Sequence, residues 1–159
     1  QTDERSHMTD ALDAIMKVME EAFDPRFGEA WTRRQVADSL TLRNVFFTLI
    51  DPDGTRDVDP DRVTGFALTR QVLDEEEILL IAVRPAFRGS GVGKQLLREV
   101  IDRARARSVA RVFLEMRDGN PAQHLYRSFG FEKIGHRKGY YRGAVGGPLD
   151  AITFAKDIA

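Results

Sequence analysis

Arg88, Gly89, Ser90, Gly91, Val92, Gly93 and Lys94 are consecutive in the chain, and together they have the chemistry of an anion cradle. Glycines let the backbone turn its amides toward a ligand, and the start of a helix just beyond adds partial positive charge. Arg88 and Lys94 add full charges, so a diphosphate suits the loop. Two nucleotide-binding patterns fail on their own residues. A P-loop needs glycine where Arg88 stands and a hydroxyl for Mg2+ where Gln95 stands. The dinucleotide fingerprint needs a last glycine where Lys94 stands.

Further along, V-F-L-E-M-R places a carboxylate, Glu115, inside an apolar segment, and A-Q-H-L-Y-R-S-F-G-F (Ala122 to Phe131) places a phenol, Tyr126, between Leu125 and Phe129. A carboxylate can take a proton from an amine, and a phenol with an ordinary pKa near 10 can give one to a thiolate. Both residues also have plainer readings. Glu115 can lie on a solvated strand face or pair with an arginine, and Tyr126 can be an amphipathic core residue. His124 and His136 have no partner at ligand spacing, so no metal site is expected.

The run I-A-V-R-P-A-F-R-G-S-G-V-G-K-Q-L-L carries R-x-x-G-x-G and resembles the cofactor strand, loop and helix of the GNAT (GCN5-related N-acetyltransferase) family. The likeness extends over nearly the whole chain from Met8, and L-E-M-R with A-Q-H-L-Y-R-S-F-G-F after it is similar to the RimI-like branch, which acetylates protein N-termini, a ribosomal protein's in particular. That resemblance implies acetyl-CoA as donor, coenzyme A as product, and direct transfer to a primary amine in a ternary complex. It implies Glu115 as general base and Tyr126 as acid, with Arg88 to Lys94 on the pyrophosphate. Backbone groups of Ile81, Ala82 and Val83 would hold the pantetheine arm and polarise the acetyl carbonyl. Tyr140 and Tyr141, with Trp31, would line the acceptor groove. One departure stands out. The family's asparagine seven residues before the tyrosine is Gly119 here, whereas Asn120 fits when counted from Glu115. A one-residue change on a helix rotates every later side chain by about 100°, so Asn120 is read both as a helix cap and as a cofactor contact.

These groups need a frame. Apolar residues from Leu12 to Phe23 recur at helical spacing, Thr32 and Gln35 form a capping box for a second helix to about Leu40, and V-F-F-T-L-I (Val45 to Ile50) is strand chemistry. Asp51 to Asp61 has turn residues throughout and no periodicity, and is read as a long hairpin loop. Strands come next at Val63 to Thr69 and Ile78 to Val83, with Leu73 to Glu76 as their turn and Asp74 to Glu77 read as solvated. Leu96, Leu97, Val100, Ile101 and Ala104 share a helical face, and the arginines of that helix are read as solvated. Arg111 to Met116 is a strand, and a helix runs from the cap Asn120-Pro121 to Gly130. Two last strands, Phe131 to Arg137 and Ala151 to Ala155, flank G-Y-Y-R-G-A-V-G-G-P. Hairpins before a β-α-β unit predict a mixed sheet, and the resemblance implies an α/β (α+β) GNAT fold, a mixed, mostly antiparallel twisted sheet with helices on both faces.

The balance of the chain sets limits. With 159 residues, 42% hydrophobic, 31% charged and a formal net charge of −1, one domain with a real core is expected, and bulk charge attracts neither nucleic acid nor membrane. Residues 1–7 read as an appended remnant, and 8–159 as the single domain. The absence of cysteine removes disulfides and thiolate chemistry and suits a reducing cytoplasm. A monomer or weak dimer is expected. A GNAT enzyme for a small amine, and a non-catalytic acyl-CoA sensor, remain open on the residues alone.

Overall fold

A computed structural model describes residues 2–52, 58–142 and 145–159. Residues 53–57 of the turn-rich Asp51 to Asp61 segment, and Gly143 and Ala144 of the glycine-rich loop, lie outside the described residues. The elements run α1 (Thr2–Ala22), α2 (Arg33–Leu40), β1 (Val45–Ile50), β2 (Gly65–Val72), β3 (Glu75–Val83), α3 (Val92–Ala106), β4 (Arg111–Arg117), α4 (Gln123–Ser128), β5 (Glu132–Tyr141) and β6 (Leu149–Asp157). They form one six-stranded sheet of order β1-β2-β3-β4-β6-β5, antiparallel except between β3 and β4.

Helices cover both faces. Ile15, Val18 and Met19 of α1 and Val36 of α2 bury against Phe66, Leu68, Leu80 and Ala82. On the other face the apolar stripe of α3 packs with Ala67, Val112, Leu114, Ile152 and Phe154, joined by Tyr126 and Phe131. Leu96, Leu97, Val100, Ile101 and Ala104 are all in that core, as their spacing predicts. The capping box forms: the Thr32 hydroxyl accepts from the Gln35 amide, and the Gln35 side chain accepts from the Thr32 amide.

The parallel pair decides the architecture. β3 and β4 are matched only over Glu75–Glu77 and Arg111–Phe113. Immediately beyond, the β2–β3 register jumps: Leu68 faces Leu80 and Thr69 faces Ile78, which leaves Leu79 as an extra residue in β3. A bulge bends the strand that carries it, and past this one the two parallel strands have no ladder. The sheet opens into a cleft there.

Boundaries differ from the sequence expectation in several places, among them α1, β3, α4 and β5. Helix α1 starts at Thr2 rather than Thr9, because nothing in T-D-E-R-S-H interrupts a helix; the Thr9 hydroxyl donates to the Arg5 carbonyl inside it. Glu75 to Glu77 are strand, not solvated turn. Glu76 is 0% exposed, accepts from the Thr69 hydroxyl and pairs with Arg107, whose guanidinium also bonds Gln71 and stacks 3.8 Å from the Phe46 ring centroid. Helix α4 begins at Gln123 with Ala122 at its N-cap; Asn120 instead closes a turn before it, its Oδ1 accepting from the Ala122 amide at 2.9 Å. Finally, β5 runs on through Tyr141, so Tyr140 and Tyr141 are strand residues rather than loop. Among the described residues no helix is long and apolar enough to cross a membrane.

Candidate active site

Two chambers lie along the cleft. The larger, of about 940 Å³, is lined by Ile81, Ala82 and Val83 of β3 and by Arg88, Gly89, Gly91, Val92, Gly93 and Lys94. The smaller, of about 330 Å³, has Glu115 on one wall and Trp31, Tyr140 and Tyr141 on others. Tyr126, Asn120, Ile81 and Glu29 line both. The sequence-predicted residues are thus divided by the fold into two groups with Tyr126 at their junction.

The loop of the larger chamber has the geometry its residues suggest. Gly89 and Gly91 sit at φ +80° and +89°, the left-handed region that side chains resist, and a Cβ on either would meet nothing within 4 Å. The cradle is open above its backbone. The amide of Gln95 closes the first turn of α3 on the Gly91 carbonyl, so the amides of Val92, Gly93 and Lys94 have no carbonyl ahead of them. The residues fit a diphosphate. Ser90 does not line the chamber; its hydroxyl donates to the Phe87 carbonyl. Arg88 donates to the Ala22 carbonyl at 3.1 Å, tying the loop to the end of α1.

Tyr126 is placed by the end of its helix. The Gly130 amide donates to Arg127 and the Phe131 amide to Tyr126, both at 3.0 Å, with Gly130 at φ +88°. This is a Schellman ending, and its usual apolar contact is the Tyr126–Phe131 ring pair, 5.6 Å apart and edge to face. Burial, and after it the charge of Glu29, pushes the Tyr126 phenol well above its ordinary value.

Glu115 alternates outward from the core on β4 and faces the smaller chamber. The Thr153 hydroxyl lies 3.5 Å away, and Arg137, 60% exposed at the rim, pairs with it at 3.2 Å. Arg137 also faces the Tyr140 ring at 5.3 Å. Tyr141 is pushed up to about 12 by burial first and by Glu29 and Glu115 next. Behind the tyrosines, Asp150 accepts from the Gly139 amide at 2.9 Å and pairs with His136 at 2.8 Å, where the β5–β6 register is interrupted.

Sequence reasoning missed Glu29. It stands in the aperiodic stretch between α1 and α2, two residues before Trp31, and no spacing singles it out. Its side chain is 13% exposed and pairs at 3.0 Å with Arg117, which is about as buried and lies 3.7 Å over the Phe27 ring. Burial pushes the Glu29 carboxyl up; Arg117 and a hydrogen bond from Asn120 pull it down, and burial prevails.

The sheet thus splits between two parallel strands, with a glycine-rich helix start at one end of the split and Glu115 and Tyr126 along its walls. The profile of the "Acetyltransferase (GNAT) family" matches residues 12–131, and the chain belongs to that family; it is an N-acetyltransferase. It is 36% identical over 98 residues, 62% of this chain and 67% of the relative, to the [ribosomal protein bS18]-alanine N-acetyltransferase of Haemophilus influenzae. It is 46% identical over 84 residues to the N-alpha-acetyltransferase RimI of Mycobacterium tuberculosis, a match over 52% of this chain and 49% of that one. The crystal structure of the ribosomal-protein-S18-alanine N-acetyltransferase from Escherichia coli superposes with a TM-score of 0.81 at 30% identity, over 95% of this chain and 90% of that one.

Proposed function

We propose that this chain acetylates the N-terminal α-amine of a ribosomal protein with acetyl-CoA as donor, as the names of its relatives suggest. The observation that carries the reading is the junction of two chambers at one buried phenol. Bound acetyl-CoA supplies an activated thioester. Arg88, Gly89, Gly91, Val92, Gly93 and Lys94 hold its pyrophosphate, Ser90 fastens the loop to Phe87, and Asn120 meets the pantetheine. The backbone of Ile81, Ala82 and Val83 runs along the unladdered side of β3 and orients the acyl carbonyl. Glu115 takes a proton from the acceptor nitrogen, and Tyr126 holds a proton for the departing sulfur. Trp31, Tyr140 and Tyr141 form an aromatic wall for the first acceptor residues. One domain, residues 8–159, does all of this as a monomer or weak dimer, in the cytoplasm, without contacting nucleic acid.

The experiment is a ligand-dependent melt and then an acceptor panel. Acetyl-CoA at about 100 times its Kd stabilises the native state by about 2.7 kcal/mol, a rise of several degrees at this size, while ATP and NAD give none. Peptides with a free N-terminus are then acetylated faster than polyamines, aminoglycosides or free amino acids. A preference for the small amines overturns the acceptor; a shift with ATP or NAD but not acetyl-CoA overturns the donor.

A further inference from the structure

We infer that Glu29 is a further catalytic residue, the group that returns a proton from the acceptor nitrogen to Tyr126. This rests on the proposed transfer from acetyl-CoA to an N-terminal amine. The acceptor enters as R–NH3+ and leaves as R–NH–CO–CH3: an N–C bond forms, a C–S bond breaks, two protons leave nitrogen, one ends on sulfur and one reaches solvent. Tyr126 gives its proton to sulfur and must regain one before the next turnover. Glu115 takes the first proton from nitrogen, but it lines only the acceptor chamber, from which Arg137 leads outward to solvent. Glu29 and Tyr126 line both chambers. The second proton therefore passes to the Glu29 carboxylate and from it to the Tyr126 oxygen, and all the atoms balance.

The surroundings suit that task. Arg117 at 3.0 Å and a hydrogen bond from Asn120 favour the Glu29 carboxylate, the form that accepts a proton. Its burial raises its proton affinity at the same time. Tyr141 stands near both Glu29 and Glu115 and stays protonated, so it does not compete for the proton. Burial first, and the charge of Glu29 after it, raises the Tyr126 phenol, and both residues line the same junction.

The test is Glu29→Gln, which keeps the side chain's size and a carbonyl for Arg117 but cannot carry a proton. Rapid mixing of the variant with acetyl-CoA and an alanine-starting peptide should give a burst of about one acetyl group per enzyme, and then steady turnover at least tenfold slower than wild type. The acetyl-CoA thermal shift should be unchanged, which shows the donor chamber intact. Glu29→Asp should recover part of the steady rate. Steady turnover of Glu29→Gln within twofold of wild type overturns the inference and leaves the acceptor reading standing. So does an equal loss in the first and later turnovers, or a lost thermal shift, since either marks a collapsed cleft. A wild-type chain that fails on every N-terminal peptide removes the acceptor reading and this inference with it.

Discussion

Tyr126 carries two duties that a single substitution separates. Its ring packs edge to face on Phe131 inside the core, and the residue lines the junction of the chambers, where its hydroxyl would act. Tyr126→Phe keeps the first and deletes the second. The melting point should move by no more than about 2 °C, since little packing changes, while kcat falls by about 10²–10⁴ with the loss of a positioned acid. A fall under threefold would remove the phenol from the chemistry. The upward direction of its shift also sets the pH profile. A phenol with raised pKa is more firmly protonated, so the donating form persists above the ordinary value near 10. Rates should therefore show no fall from loss of the phenol proton through about pH 10. A descending limb beginning near pH 9 would contradict that sign.

Among the elements, α4 shows how local signals position the chemistry. Gly130 is held at φ +88°, and a Cβ there would meet the Lys156 ammonium at 3.1 Å, a flexible group that can yield. The cost of Gly130→Ala is then mainly the left-handed backbone, about 1–2 kcal/mol, or roughly 2–8 °C in Tm. Because Tyr126 is the residue whose carbonyl the motif engages, kcat should drop with it; a lower Tm with unchanged kcat would show that core packing alone holds the phenol. This helix ending was legible in the sequence, as were the Thr32–Gln35 capping box and the bounds of β1, because each is written within a few residues. The cleft itself was not. The continuous apolar run I-L-L-I-A-V hides which residue is extra, so the bulge at Leu79 has no signature. Glu76 sits in a charge run that resembles a solvated turn, and the cation that permits its burial is 31 residues away. Glu29 lies 88 residues from Arg117, and nothing local marks it. The same distance problem moved the start of α4: Asn120 and Pro121 are good opening residues, but the chain leaving β4 spends them on a turn that brings Asn120 into the cleft.

At the scale of the molecule, β1-β2-β3 and β4-β6-β5 are two half-sheets hinged on three matched residue pairs. Glu76 stands in that short ladder, and Arg107, at the end of α3, ties it to Gln71 of β2 and Phe46 of β1. Its second oxygen, Oε2, has no hydrogen-bond partner among the described residues. Burial raises the Glu76 carboxyl, with Arg107 and then Thr69 opposing. Removing the cation alone strands a buried charge, which costs about 3–5 kcal/mol, so Arg107→Ala should lower Tm by about 10 °C. The sign with pH is fixed by linkage. Without Arg107 the folded carboxyl is raised further above its unfolded value, and a group raised in the native state adds stability below the unfolded value and loses it as pH climbs through the folded one. The gap in Tm between wild type and Arg107→Ala should thus be smaller near pH ~5 than near pH ~8. Replacing both partners by apolar side chains, Glu76→Leu with Arg107→Met, removes the charge and its cation together and should restore most of the lost stability. Acetyl-CoA binding should return with it, because the open end of the cleft depends on the closed end holding. If the double variant is as unstable as Arg107→Ala, then the hinge is set by the hydrogen-bonded geometry around Gln71 and Thr69, and compensation of charge is secondary to it.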